Sequence, residues 1–452
     1  MKRFVVLGAG ISGLSLAWFL KKKFKNEIAL TILERAPRAG GWIQSVNQNG
    51  FLFELGPHSF RFADNCDATL ELLSDVNLDQ QIIPASPSAK RRYLYLDQKL
   101  RPLPHNIWSM LFSPFSFKML SGIVRDLFAP VSNENDESVQ FFATRRFGPR
   151  ITQELIDPLT TGIYAGNIEH LSIKACFPKW YQYEKEFGSI TKGMLNKKKT
   201  VEASLWRWQL QKSGLFSLLN GMESLSQALS KQLSDHLFLS TPATELIVTQ
   251  RGIEVRTPQS TFQADYLFST LPLPILADLL PNQSHQLIQA LRSVSSASIV
   301  AVCLGYKRQV LKNEGFGYLN PSKENQGILG VIWDSSAFPQ QNAQTEQTRL
   351  TVMMGGAHWS EIAHLPEKQI LALALKAVKE QIGIAAEPEE VYIHLAKDAI
   401  PQFAVGHIER INFIQETLSE IFPRIFCAGN AVSGVSINDC IAHSKKTVDL
   451  LT

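Results

Sequence analysis

The residues of this chain whose types and spacing could do chemistry begin with Gly8, Ala9, Gly10, Ile11, Ser12 and Gly13, a G-x-G-x-x-G turn set between an apolar strand pattern, FVVL, and a helical run, LSLAWFL. Two of the glycines permit a tight turn and close approach of the backbone to a pyrophosphate, and the third lets the helix pack on the strand. The start of the helix then offers free N–H groups and the positive end of a dipole to the phosphates. A second strand pattern, LTILE, ends in Glu34, an acid placed to accept from ribose hydroxyls. The glycine motif alone is a weak signal, but strand, turn, helix, strand and acid in this order read as a dinucleotide site. Lys2, Arg3 and the apolar run after them also look like a short leader or anchor. Three glycines interrupt that run, and it is shorter than the roughly 20 apolar residues a spanning helix needs, so neither is expected.

The segment that follows Glu34 decides which dinucleotide. Arg35, Arg38, Gly40, Gly41 and Trp42 extend the acid strand into a second close-approach loop, ERAPRAGGW, which resembles the flavin fingerprint of the large flavoprotein oxidase superfamily. That resemblance implies FAD. The far end of the chain agrees: FCAGNAVSGVSINDCIAHSKKTVDLL reads as strand, glycine turn and helix. Gly429, Asn430, Gly434, Val435, Ser436 and Ile437 fall where such flavoproteins set a helix amino terminus under the flavin, and a reduced, anionic flavin gains from that dipole.

These two ends must be brought together by the elements between them. A chain of 452 residues, 45% hydrophobic and 19% charged, is too long for one core and implies two or three domains. A net charge of +4 gives no reason to expect nucleic acid as a partner. Five scattered cysteines without a CxxC suit a reduced, cytoplasmic protein with neither disulfide framework nor zinc site. Residues 101–130 carry Trp108, Phe112, Phe115, Phe117 and Phe128 among few charges, with prolines that prevent a span. This stretch reads either as a surface lying on a membrane or as a core helix pair. The run NKKKTVEASLWRWQLQK reads as a solvated loop. The texture of the chain predicts a mixed α/β and α+β fold. Segments 1–84, 214–272 and 398–452 form a discontinuous Rossmann-like FAD-binding domain, 85–213 a helical, membrane-associating and substrate-lining part, and 273–397 a mixed-sheet substrate domain.

Nearly end to end, the chain resembles the oxygen-dependent protoporphyrinogen oxidase family. The matching pieces are GAGISGL, RAGGWIQS, FELGPHSFR, RRYLY, GIYAGN, LSIKACFP, GFGYLNPS, WDSSAFP, LTVMMGG, IPQFAVGH and GVSINDCI. The resemblance implies six-electron oxidation of a porphyrinogen to a porphyrin in heme biosynthesis, with molecular oxygen as acceptor and hydrogen peroxide as product. It further implies Gly56, Pro57, His58, Ser59 and Ala243 at the cofactor. At the substrate it implies Arg92 on a propionate, Tyr93 after it, Phe316, Gly317, Leu319 and Met353 facing the macrocycle, and Leu155, Gly162 and Tyr164 on the opposing wall. The family's eukaryotic enzymes carry an arginine where this chain has His58, and Arg61 is placed to substitute for it. Hydride acceptance belongs to the flavin, and the absence of GxSxG, HExxH and clustered Cys and His matches a site with no protein nucleophile and no metal. Peripheral contact with the cytoplasmic face of the inner membrane is expected, and assembly stays open between monomer and homodimer. The rival readings are a coproporphyrinogen oxidase of the same family, a flavin amine oxidase, a carotenoid desaturase and a flavin-binding scaffold without activity. The amine oxidase reading suffers because residues 427–440 hold no Tyr or Trp to cage an amine.

Overall fold

The apolar pattern at the start of the chain becomes the middle of a five-stranded parallel sheet. In the computed structural model, which describes residues 1–104, 115–196, 204–281, 283–324 and 327–451, its order is Leu237–Phe238, Ile28–Leu33, Lys2–Leu7, Tyr266–Ser269, Ile425–Cys427. Strands from four distant parts of the sequence therefore share one sheet. Both of its faces are covered, as all-parallel sheets require. Phe4, Val6, Leu30, Ile32 and Phe268 face a core with helices Ile11–Phe24 and Ile437–Asp449. The alternate residues Val5, Leu7, Leu33 and Leu267 face a second core with helices Leu273–Leu279, His285–Arg292 and His407–Ile421. Helices 273–279 and 285–292 thus pack with the nucleotide sheet, although the sequence pattern put them in the substrate domain.

A second, seven-stranded mixed sheet runs Glu390–Pro401, Ser296–Tyr306, Thr348–Gly355, Ile328–Ile332, Gly317–Leu319, Arg92–Leu96, Lys99–Pro102. The last two strands correct the expected layout: RYLYL and KLRP pair into this sheet rather than joining the helical part, because Gly317–Leu319 offers a parallel edge to Arg92–Leu94. One face of the sheet, with Tyr95, Tyr318, Val302, Val352 and Trp333, is sealed by helix Glu367–Ile382. Strand alternation sends the other residues to the opposite face. There the register sets Arg92, Gly317, Ile332, Thr351, Cys303 and Tyr392 in one row, and Leu94, Leu319, Gly330, Met353, Ala301 and His394 in the next. This face meets the hairpin Ser45–Gln48 and Phe51–Glu54 through Phe51, Phe53 and Cys303.

The helical part is fastened by buried charge. Arg146 is fully buried and donates from Nε to Glu184 at 2.6 Å and from Nη1 to Asp126 at 3.3 Å, while Asp126 also accepts from Ser189 Oγ and the Thr191 amide, each at 2.7 Å. Of the aromatic stretch, Phe115 is buried against Leu94 and Leu96 and Phe128 is exposed; Trp108, Phe112, the Phe117 side chain and residues 197–203 lie outside the described residues. The rest of the basic run corrects the expected loop: Asn196 ends helix Ile190–Asn196, and Leu205–Ser213 is a helix with Leu210 buried against the nucleotide-sheet core. No helix among the described residues is long and apolar enough to cross a membrane. All five cysteines are free and buried.

Candidate active site

The glycine turn closes on itself by necessity. Gly8 has φ +94°, and a Cβ on Gly13 would lie 1.9 Å from the Gly8 carbonyl oxygen. Any other residue at position 13 would force helix from strand. The second glycine loop comes against the first: the Gly40 amide donates to Ala9 O at 2.8 Å, and a Cβ on Gly41 would stand 3.0 Å from Gly10 Cα. Bare backbone thus faces the place where a diphosphate needs to approach closely. Glu34 accepts from the amides of Ala9 and Ala36 at 2.7 and 2.8 Å, which fixes its carboxylate at the strand end beside the turn. Ala243 follows Thr241, whose amide donates to Glu34 O, so it borders the same end of the sheet. These groups fit a dinucleotide. Arg38 serves otherwise than as a free cation: it donates to the carbonyls of Ala39 and Gly41 and pairs with Glu223 at 3.3 Å, holding the loop in shape. Arg35 is exposed, and Trp42 presents its carbonyl to Gly56, where a Cβ would come within 1.8 Å.

The C-terminal motif reaches the same place. Gly429 sits at φ +104° against the Thr270 carbonyl, which adjoins the Gly8 turn. Asn430–Ser433 is a single helical turn, Gly434 has φ +117°, and Val435 packs toward the helical part. Helix Ile437–Asp449 starts at Ser436, whose Oγ accepts from the Asp439 amide at 3.1 Å. The Asp439 carboxylate lies beside Gly434, so part of this helix's positive end is already met within the chain. Ser444 Oγ donates to Ser12 O at 3.0 Å and Asn438 Nδ2 to Arg61 O at 2.7 Å. The glycine turn, the loop after Gly56 and the C-terminal motif are thereby joined.

On the facing sheet, the Arg92 guanidinium stands over the Phe316 ring, 5.6 Å from its centroid. Phe316 packs with Leu215, the strand partner of Arg61. Desolvation by the surrounding protein, and then the charge of Arg61, lower the pKa of Arg92 although solvent still reaches it. Neither arginine has a carboxylate partner among the described residues. Leu319 shares an apolar cluster with Leu155 and comes so close to Gly162 that a Cβ there would meet its Cδ2 at 2.7 Å; Met353 is half-buried further along the same row. Gly317, at φ +136°, would drive a Cβ to 2.1 Å from Val331 O. Two expected residues do not join this group. Tyr93 alternates to the other face, against Trp333, and donates to Glu314 O at 3.0 Å. Tyr164 is buried with its hydroxyl donated to Cys176 O at 2.8 Å, and burial raises its pKa.

Pro57, His58 and Ser59 lead from the Gly56 contact to a buried polar cluster that sequence reasoning missed. His58 Nδ1 is 2.7 Å from Asp334 Oδ1, and Asp334 Oδ2 accepts from Thr351 Oγ1 at 2.8 Å. Burial opposes charge on both. The attraction between them, with Glu54 also acting on His58 and Arg349 on Asp334, prevails: His58 is raised and Asp334 lowered, the signature of an ion pair. Glu54, accepting from Ser45 Oγ and the Met222 amide, is pushed up to about 7 by burial. His58 Nε2 is buried without a partner among the described residues. The matching signals were present as FELGPH and WDSSAFP, but nothing in the sequence pairs residues 276 apart.

The sequence pattern of flavin containing amine oxidoreductases matches residues 11–452. Protoporphyrinogen oxidases of Bos taurus and Homo sapiens are each 34% identical over 98% of this chain and 96% of theirs. The coproporphyrinogen III oxidase of Bacillus subtilis is 30% identical over 100% of this chain and 98% of its own. A crystal structure from Exiguobacterium superposes with a TM-score of 0.85 at 24% identity, covering 99% of this chain and 98% of that one, which shows the common fold. The fold, the double glycine cradle and these likenesses together make this an FAD-dependent oxidoreductase, and the chain belongs to the flavin containing amine oxidoreductase family, in the branch that holds the porphyrinogen oxidases.

Proposed function

We propose that this enzyme oxidises protoporphyrinogen IX to protoporphyrin IX with FAD as cofactor and oxygen as final acceptor. The observation that carries the reading is the pair Arg61 and Arg92, two cations without carboxylate partners among the described residues, with Arg92 over Phe316 and next to the sheet row of Leu94, Leu319 and Met353. Both arginines are exposed to solvent and free to take a counter-charge from a ligand, and propionates on a flat apolar ring supply it. Bound FAD supplies hydride acceptance at the macrocycle's reduced carbons. The chain's own part is to hold the propionates through Arg92 and Arg61 and to offer Phe316, Leu319, Leu155 and Met353 to the ring. Gly162, Gly317 and Gly330 keep that wall free of further side chains. Removing six hydrogens takes three rounds, each releasing one proton to solvent or to the chain.

The second reading, coproporphyrinogen III, is favoured by the Bacillus subtilis relative. It asks the site to meet four propionates rather than two. Porphyrin fluorescence from the two porphyrinogens, offered in parallel to the purified holoenzyme and corrected for spontaneous oxidation, tests both. A higher kcat/KM with protoporphyrinogen IX supports the first; the reverse replaces it with the second, and activity with neither rejects both. Turnover that persists without oxygen rejects oxygen as the acceptor.

Peripheral membrane contact is supported by helix Ser116–Phe128, whose Leu120, Val124 and Phe128 form a stripe exposed by 57%, 49% and 84%. Met194 and Leu195 add to the exposed apolar surface on the adjoining helix. Flotation with anionic vesicles should fail after Phe128→Glu; a wild-type protein that does not float removes this contact.

A further inference from the structure

His58 lies at the junction of the two halves of the site. It is two residues past Gly56, which is pressed on the Trp42 carbonyl of the flavin loop. Its partner Asp334 is bound by Thr351, which shares a sheet row with Ile332, Gly317 and Arg92. The His58 carbonyl is fixed as well, by Ser217 Oγ at 3.1 Å, so ring and backbone are held from both sides. The charged and titratable groups around the ring are Glu54 from the hairpin, Asp334 from the short helix Asp334–Ala337, and Arg349 and Cys303 from the sheet. Of these, Asp334 alone touches it.

We propose that Asp334, oriented by Thr351, is a positioning residue that keeps His58 as a fixed imidazolium at the flavin-side loop, with Nε2–H as its uncommitted donor. The proposal rests on the assignment of FAD to the glycine cradle, and is independent of which porphyrinogen is the substrate. A cation fixed in a buried wall favours negative charge arriving beside it, so the His58–Asp334 pair stabilises the reduced, anionic form of the cofactor. Asp334 is needed because burial alone would leave the imidazole neutral. The directions of the two pKa values, upward for His58 and downward for Asp334, agree with this.

The test uses holoenzyme without substrate, so that its failure is distinct from failure of the substrate assignment. The readouts are the midpoint potential of the bound flavin, by dye-equilibrated reductive titration, and the dissociation constant of its sulfite adduct, which places negative charge on the ring. Asp334→Asn should shift the midpoint to lower potential and weaken sulfite binding about tenfold, and His58→Gln should do the same. Because arginine needs no partner to stay charged, His58→Arg in the Asp334→Asn background should restore both values. Unchanged potential and sulfite affinity in Asp334→Asn, or no restoration by His58→Arg, overturn the proposal. Should Asp334→Asn not fold, Thr351→Val removes one hydrogen bond to Asp334 and should give a smaller change of the same sign; no change there overturns it equally.

Discussion

Replacing Glu54 by Gln should remove a pH-dependent load on the fold. The carboxyl is 3% exposed, held between Ser45 and the Met222 amide, and burial keeps its proton on to about pH 7 against an ordinary value of 4.5. Between those values the folded state binds more protons than the unfolded chain. The contribution of neutral Glu54 is therefore complete below about pH 4.5 and is lost as the pH rises through 7. At 1.36 kcal/mol per pH unit the loss is about 3 kcal/mol. Glutamine keeps the shape, and its oxygen accepts the same amide at every pH. Urea unfolding of both holoenzymes, at about pH 5 and about pH 8.5, should show wild type losing about 2.5 kcal/mol more than Glu54→Gln over that interval. The variant also isolates Glu54 from His58, whose raised pKa makes its own contribution fall with rising pH, and from Asp334, whose lowered pKa matters at more acid pH. Parallel pH profiles would refute the reasoning, since Glu54 would then be ionised throughout.

Three other substitutions probe the remaining parts. Gly13→Ala puts a methyl 1.9 Å from a backbone oxygen, a clash no rotamer relieves, so the protein should purify without its yellow absorbance; a normal flavin-to-protein ratio contradicts the cradle. Arg92→Ala should raise KM by roughly 10- to 100-fold, the worth of a hydrogen bond between charged groups, and change kcat much less, because a propionate contact serves bound substrate and transition state alike. An unchanged KM takes Arg92 out of the site. Arg146→Met leaves Asp126 buried without its cation and Glu184 with Arg145 alone, and should cost about 3–5 kcal/mol in an unfolding titration, where a loss under about 1 kcal/mol would show the network to be dispensable.

What could be read ahead of the structure followed distance along the chain. The strand, glycine turn, helix and acid of the amino terminus span fewer than forty residues, and each is defined by its near neighbours, so strand, turn and helix form as the pattern indicates, with Glu34 at the end of the second strand pattern. Arg38 shows the limit even there. It belongs to the close-approach loop of the flavin fingerprint, but that loop curls back and offers it carbonyls, and Glu223 arrives from a distant helix. Tyr93 next to Arg92 illustrates another: in a strand, neighbours in sequence face opposite ways, and which of the two faces the site depends on the sheet they join.

The sequence by itself pointed to a dinucleotide at the first glycine turn, to a carboxy-terminal motif that returns to that turn, and to a separate sheet built by the middle of the chain. Those conclusions rest on local periodicity and on glycines whose spacing a turn dictates. Only the tertiary structure decided that RYLYL joins the seven-stranded sheet, that Arg61 comes near enough to Arg92 for its charge to act there, and that His58 pairs with Asp334. Each of these is a long-range choice among many partners of similar chemistry. It is settled by strand register and by the cost of leaving a buried charge alone, and neither is written in any short stretch of residues.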